Sequence, residues 1–218
     1  MNGLFVAFEG IEGSGKSTQI RLLADSLRAE GVECLTTREP GGTSEGAALR
    51  ELILARKREG PLDPLTEALL MVADRRQHVA TILVPALEQG LVVLCDRFTD
   101  STLAYQGGGS GVELSTLEYL NHLATGGLAP GLTVLFDLPV ERALERVHAP
   151  ARSAPDRFET EPPEFHERVR RLYRRLADAR PERYAVIDAT LSEAEIAREV
   201  RASFERLRAR VEAGSGGG

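Results

Sequence analysis

The sequence predicts an α/β fold of three layers, a five-stranded parallel sheet flanked by helices. Three observations carry that reading. Short apolar runs alternate with segments of helical periodicity. Several of the runs end in a charged residue, the pattern of buried parallel strands that emerge at one edge of a sheet. The first run leads through a glycine-rich turn straight into a helix. In such sheets ligands sit at the carboxyl ends of the strands, so Glu9, Arg38, Asp96, Arg97 and Asp137 should converge there.

The first strand is Leu4-Phe5-Val6-Ala7-Phe8, followed by Glu9. The stretch Gly10-Ile11-Glu12-Gly13-Ser14-Gly15-Lys16-Ser17 then fits G-x-x-x-x-G-K-[ST], the phosphate-binding P-loop, with Thr18 next. Glycine lets this backbone bend so that successive N–H groups face an anion. The positive end of the following helix adds to that field. Lys16 carries a full charge to the β- and γ-phosphates, and the Ser17 hydroxyl can ligate Mg²⁺. Ile20, Leu23, Ala24 and Leu27 recur at helical spacing.

Glu33 to Arg38 reads as a second strand, and Glu39-Pro40-Gly41-Gly42-Thr43 turns the chain. Thr43 or Ser44 can cap a helix carrying Ala48, Leu49, Leu52 and Ile53. Beyond a polar break at 56–64, a long helical pattern places Leu65, Leu69, Val72, Val79, Leu83 and Leu87 near one face, with Pro85 as a kink. Leu91 to Cys95 is a third strand ending in Asp96-Arg97. Leu132 to Phe136, ending in Asp137, is a fourth, and Tyr184 to Ile187, ending in Asp188, a fifth. Val140 to Val147, Glu164 to Arg180 and Glu193 to Val211 read as helices. The aperiodic segment 148–163 is expected to be a functional lid or else a disordered polar loop. Residues 1–213 form one domain in this reading, and 214–218 a flexible Gly/Ser tail.

Composition narrows the function. The chain has 218 residues and a formal net charge of −6, which argues against a general nucleic-acid binder. Its basic residues are nearly all arginine; only Lys16 and Lys57 are lysine, and one of them sits in the P-loop. Cys34 and Cys95 read as buried free thiols in a reducing compartment. No apolar run reaches membrane-spanning length and no secretory signal is present, so no membrane association and a cytoplasmic location are expected.

Asp96, closing an apolar strand, is placed to hold Mg²⁺ directly or through water; Asp137 and Asp188 are weaker candidates, since strand-end carboxylates also cap helices. Arg38 and Arg97 at strand ends, with Arg75 on the long helix, can form a second anion site beside the P-loop. Arg152 and Arg157 in the lid can stabilise a phosphoryl-transfer transition state on closing. In Tyr105-Gln106-Gly107-Gly108-Gly109, Gln106 offers both donor and acceptor to a base edge, while Tyr105 can wall off a sugar.

Together these motifs resemble the bacterial thymidylate kinases, from Leu4 to about Val211. The resemblance rests on Phe8-Glu9-Gly10 entering the P-loop, Thr37-Arg38-Glu39-Pro40-Gly41-Gly42-Thr43, Ala73-Asp74-Arg75, Asp96-Arg97-Phe98 with Ser101, Ala104 to Gly109, and Asp156-Arg157-Phe158-Glu159. It implies a P-loop kinase fold, a homodimer, and Mg²⁺-dependent transfer from ATP to dTMP. It implies that Arg38 and Arg97 hold the acceptor phosphate, with Pro40 in the same wall. Met71, Arg75 and Gln106 would address the thymine, with Ser101 nearby. Tyr105 would crowd the 2′ side of the sugar, and Glu12 would lie near its 3′-hydroxyl. With no arginine between Gly10 and Ser17, the resemblance is to the subgroup whose lid supplies the catalytic arginine, here Arg152 with Arg157 in reserve. The sequence departs from the family at Met71, where phenylalanine is common, at Ser110, where an arginine often stands, and in a lid poor in basic residues. Two alternatives stay open: a kinase for another deoxynucleotide, and a nucleotide-dependent switch. A switch needs loops that sense the γ-phosphate, whereas this chain offers a second anion site and a lid.

Overall fold

The computed structural model describes residues 3–54, 60, 62–148 and 157–215. Five parallel strands form one sheet in the order β2-β3-β1-β4-β5: β1 (Leu4–Glu9), β2 (Cys34–Arg38), β3 (Val92–Asp96), β4 (Leu132–Asp137) and β5 (Tyr184–Asp188). β1 lies at the centre, with Phe8 opposite Asp96 on β3 and Glu9 opposite Leu135 on β4. That register brings Glu9, Arg38 and Asp96 to a common edge.

The pleat of β1 feeds two cores. Val6 and Phe8 pack with α1 (Lys16–Ala29), α8 (Pro163–Ala179) and α9 (Glu193–Ser215). Phe5 and Ala7 face the other layer, where Val79, Leu83 and Leu87 pack with Val93, Cys95 and Phe98. Alternation by two therefore serves both faces of the sheet. α2 (Ser44–Leu54), α3 (Pro64–His78) and α6 (Leu114–Thr125) pack side by side.

α3 does not break at Pro85. It continues through a π-helical turn at Val79–Leu83 into α4 (Val84–Glu88). The wider turn shifts the backbone register just ahead of the proline, which has no N–H to give and crowds the preceding turn. The expected single apolar face is corrected in part. Val72, Val79, Leu83 and Leu87 are buried, but Leu65 and Leu69 are exposed. Cys95 is buried and Cys34 half-buried.

The glycine-rich stretch after Tyr105 is helical rather than a loop. α5 (Thr99–Thr102) runs into a π-helical segment, Leu103–Gly109, that packs on α8. A Cβ at Gly109 would lie 2.4 Å from the Phe165 ring, so only glycine permits that approach. α7 (Val140–Val147) follows β4, and a single 3₁₀ turn, Phe158–Thr160, precedes α8. α9 runs to Ser215, two residues into the segment read as tail.

Candidate active site

The P-loop bends where the sequence puts its glycines. Gly13 has φ 73°, and a Cβ there would meet the Ala143 carbonyl at 2.7 Å. The loop closes on its own lysine: Lys16 Nζ donates to the carbonyls of Gly10 at 3.0 Å and Ile11 at 2.9 Å. Burial, together with the Arg97 cation, brings the Lys16 ammonium down to about 8, against the pull of Asp96, Glu12 and Glu9. Ser17 Oγ donates to Asp96 Oδ2 at 2.9 Å. The other oxygen, Asp96 Oδ1, is buried without a partner. A hydroxyl and an orphaned carboxylate oxygen beside a phosphate-binding loop fit a hard divalent cation completed by phosphate and water. Among the described residues no cluster of three metal-ligating side chains forms, so the fit rests on those shared ligands.

Arg97 follows β3 in the left-handed region, φ 70°, which is uncommon for a non-glycine residue and clusters at functional sites. Its backbone N–H donates to Phe8 O, and its guanidinium donates to Gly10 O at 3.0 Å and to Glu12 Oε1 at 2.7 Å. Burial alone would raise the Glu12 carboxyl, but Arg97, Lys16 and the Tyr105 hydroxyl bring it below its ordinary value. Tyr105 donates to both Glu12 oxygens, and Arg97 lies 4.9 Å above its ring. Glu12 thus supplies the anion that faces Arg97. Beneath them Glu9 accepts from Phe98 N–H, Ser101 and Tyr173. Burial and the neighbouring Asp100 push its carboxyl up to about 7.

Arg75 is 2% exposed and tightly held. It donates to Glu39 at 2.8 Å, Thr102 at 2.9 Å, Asn121 at 2.5 Å and the Phe98 carbonyl at 2.8 Å. Guanidinium has five N–H donors, and these bonds use four of them. Glu39 also accepts from the buried His78 ring at 2.9 Å. The Glu39–Pro40 peptide is cis.

One cleft of about 530 Å³ gathers these groups. Of the residues named from sequence, Glu12, Gly13, Gly15, Lys16, Ser17, Thr18, Arg38, Pro40, Met71, Arg75, Asp96, Arg97, Ser101, Tyr105 and Gln106 line it. Gly10, Ile11 and Ser14 are buried beneath as the loop's frame. Arg38 is exposed, and its side chain makes no hydrogen bond or ion pair among the described residues. Arg152 lies outside the described residues. Arg157 does not line the cleft; it pairs with Glu67 and with Glu161 at 3.6 Å. Asp137 does not line the main cleft; it pairs with Arg170 and Arg174 on α8, beside Gly10 and Ile11 at the back of the phosphate loop.

Comparisons with known proteins agree with this geometry. The family model described as thymidylate kinase matches residues 8–200. The thymidylate kinase of Desulfovibrio desulfuricans is 52% identical over 93% of this chain and 95% of its own. That of Cupriavidus necator is 53% identical over 92% and 97%. A crystal structure of thymidylate kinase from Ehrlichia chaffeensis superposes with a TM-score of 0.74 at 36% identity, covering 93% of this chain and 98% of that one.

The chain belongs to the thymidylate kinase family.

As a member of that family it carries cleft residues that its motifs did not single out for a role. Glu39 anchors Arg75 and His78, and Arg50 donates to the Pro40 carbonyl. Arg146 on α7 bridges Gly13 O and Ala189 O. Phe158 and Glu159, in the turn that precedes α8, also line the cleft, with Phe158 edge-on to Tyr105 at 5.3 Å. Glu39 and Glu159 lie inside recognised motifs, so a signal was present. Arg146 lies on an ordinary amphipathic helix and gave none. No helix among the described residues is long and apolar enough to cross a membrane.

Proposed function

We propose that the chain transfers the γ-phosphoryl group of ATP to dTMP, giving ADP and dTDP. The observation that supports this is a cleft lined by two sets of cationic groups, Lys16 in the P-loop and the pair Arg38 and Arg97. A hydrolytic switch needs only the first. The acceptor is already an anion at neutral pH, so no protein nucleophile or strong base is required; positioning and charge neutralisation carry the rate.

Lys16 and the loop amides hold the donor phosphates. Arg38, whose side chain is unpaired among the described residues, meets the acceptor phosphate, and Arg97 exchanges its Glu12 contact for it. Ser17 and Asp96 would hold Mg²⁺, which when bound neutralises charge shared between the donor phosphates. Lys16, Arg97 and the lid's Arg152 are assigned to the transferring group. Arg75, Gln106 and Met71 are assigned to the thymine, and Tyr105 to the deoxyribose. Tyr105 is held edge-on against Phe158 and Phe165, which supports a rigid wall there.

We assign the homodimer to the face made by α2, α3 and α6. Leu52, Leu65, Leu69, Tyr119 and Leu123 are all exposed there, a clustering that a solvated face seldom keeps.

The test is ADP release with ATP and Mg²⁺ against dTMP, dUMP, dCMP, dGMP, AMP and no acceptor. Turnover strongly favouring dTMP is expected. Acceptor-independent release would sink the transferase reading. Preference for another acceptor would keep the phosphate sites and discard the thymine set.

A further inference from the structure

We propose that Glu67, in the first turn of α3, is a positioning residue that sets which hydrogen bond the base pocket offers. This rests on the assignment of Gln106 to the base. Glu67 is 1% exposed, as is Gln106. Gln106 Nε2 donates to Glu67 Oε1 at 2.8 Å. Gln106 Oε1 is buried without a partner, and the residue lines the cleft.

A glutamine amide has nearly the same shape either way round, so packing alone does not choose between its oxygen and its nitrogen. The carboxylate of Glu67 does. Ionised, it only accepts, and turning the Gln106 carbonyl towards it would set two acceptors face to face. Glu67 therefore fixes the NH₂ inward and leaves an acceptor as the group still to be satisfied. That acceptor suits a pyrimidine whose ring nitrogen carries hydrogen, as in thymine and uracil. Cytosine presents a lone pair at that ring nitrogen and leaves the acceptor unmatched.

The second oxygen of Glu67 extends the arrangement. Arg157, at the foot of the lid, pairs with Oε2 and lies 4.9 Å over the Phe158 ring. Phe158 in turn packs edge-on to Tyr105, the neighbour of Gln106. One buried carboxylate thus orients the base-reading amide and anchors the lid foot beside it. Residues 67, 106 and 157 meet only through the fold.

Steady-state kinetics of the full chain with dTMP and dCMP at saturating ATP, for Glu67→Gln, Glu67→Asp and Gln106→Leu, test this. Glu67→Gln can pair with the amide either way round. The dTMP-to-dCMP ratio of kcat/KM should fall about 10- to 100-fold, with the loss for dTMP mainly in KM and the KM for ATP unchanged. Glu67→Asp keeps an acceptor-only group, so the ratio should hold within about threefold while KM for dTMP rises. A ratio preserved in Glu67→Gln, or equal losses for both acceptors, overturns the proposal. If Glu67→Gln does not fold, Glu67→Asp decides: a collapsed ratio or an unchanged KM overturns it. Gln106→Leu separates the two ideas. If that variant keeps the wild-type ratio, the base assignment itself fails, whatever Glu67 does.

Discussion

Past its first turn helix α1 buries an apolar stripe, whereas α3 buries mostly charged and polar side chains. α1 buries Ile20, Leu23, Ala24 and Leu27 and turns Arg21, Asp25 and Arg28 outward. α3 buries Glu67, Asp74, Arg75 and His78 among its inward residues and turns Leu65 and Leu69 outward, Leu69 being 47% exposed. The first helix packs on the sheet, and an apolar stripe there is what burial rewards. The second is the inner wall of a polar cleft. Most of its buried charge is met: Arg75 by four hydrogen bonds, Glu39 by Arg75 and His78, and Asp74 Oδ1 by the Gly41 N–H, while Asp74 Oδ2 is buried without a partner and burial pushes that carboxyl up. A helix's polarity pattern reports what each face meets, and the inside of this molecule is polar where substrates are handled.

The largest effect should come at the start of α1, where function rather than packing is at stake. Lys16→Ala should lower kcat/KM for ATP by about 10³-fold or more while thermal unfolding stays cooperative. Near-wild-type turnover would remove α1's end from the site. The matching change on α3 should instead attack the fold. Arg75→Ala leaves Glu39 buried with half its partners gone, and about 3–5 kcal/mol of stability should be lost in denaturant unfolding. If Arg75→Ala lost turnover and kept its stability, the polar wall would be substrate-held rather than self-held, and the contrast would narrow.

A smaller effect is expected on α3's outer face. Leu65→Ser with Leu69→Ser should shift the chain from dimer to monomer in sedimentation, with little stability change in the monomer itself, because both side chains are already exposed there. A wild-type chain that is monomeric at micromolar concentration would end the dimer assignment. The mildest test is pH. Lys16 is charged below about 8 and neutral above it. The kcat/KM for ATP should therefore hold from neutral pH to about 8 and then fall, approaching tenfold per pH unit. Arg97, which does not titrate in that range, should give no such limb to kcat/KM for dTMP.

The readings that needed only neighbours along the chain were the ones legible in the sequence. The five strands, the P-loop bend and α1 are local patterns of period two, of glycine placement and of helical spacing. The convergence of Arg38, Asp96 and Arg97 was legible too, because parallel strands deliver their carboxyl ends to one edge. Two features were not. The π-helical turns at Val79–Leu83 and Leu103–Gly109 answer to packing around Pro85 and α8, which no local pattern announces. The polarity of α3 was misread because Leu65 and Leu69 satisfy the spacing of a core face as well as Val72 does.

The sequence by itself determined the strand and helix order, the nucleotide loop and the family, since each depends on residue types at short fixed spacing. Only the tertiary structure decided that Glu12 faces Arg97, that Glu39 clamps Arg75, and that Glu67 joins Gln106 to Arg157. The reason is physical. A buried charge must be met by whatever the fold brings within about 3 Å, and chain separation does not determine what that will be.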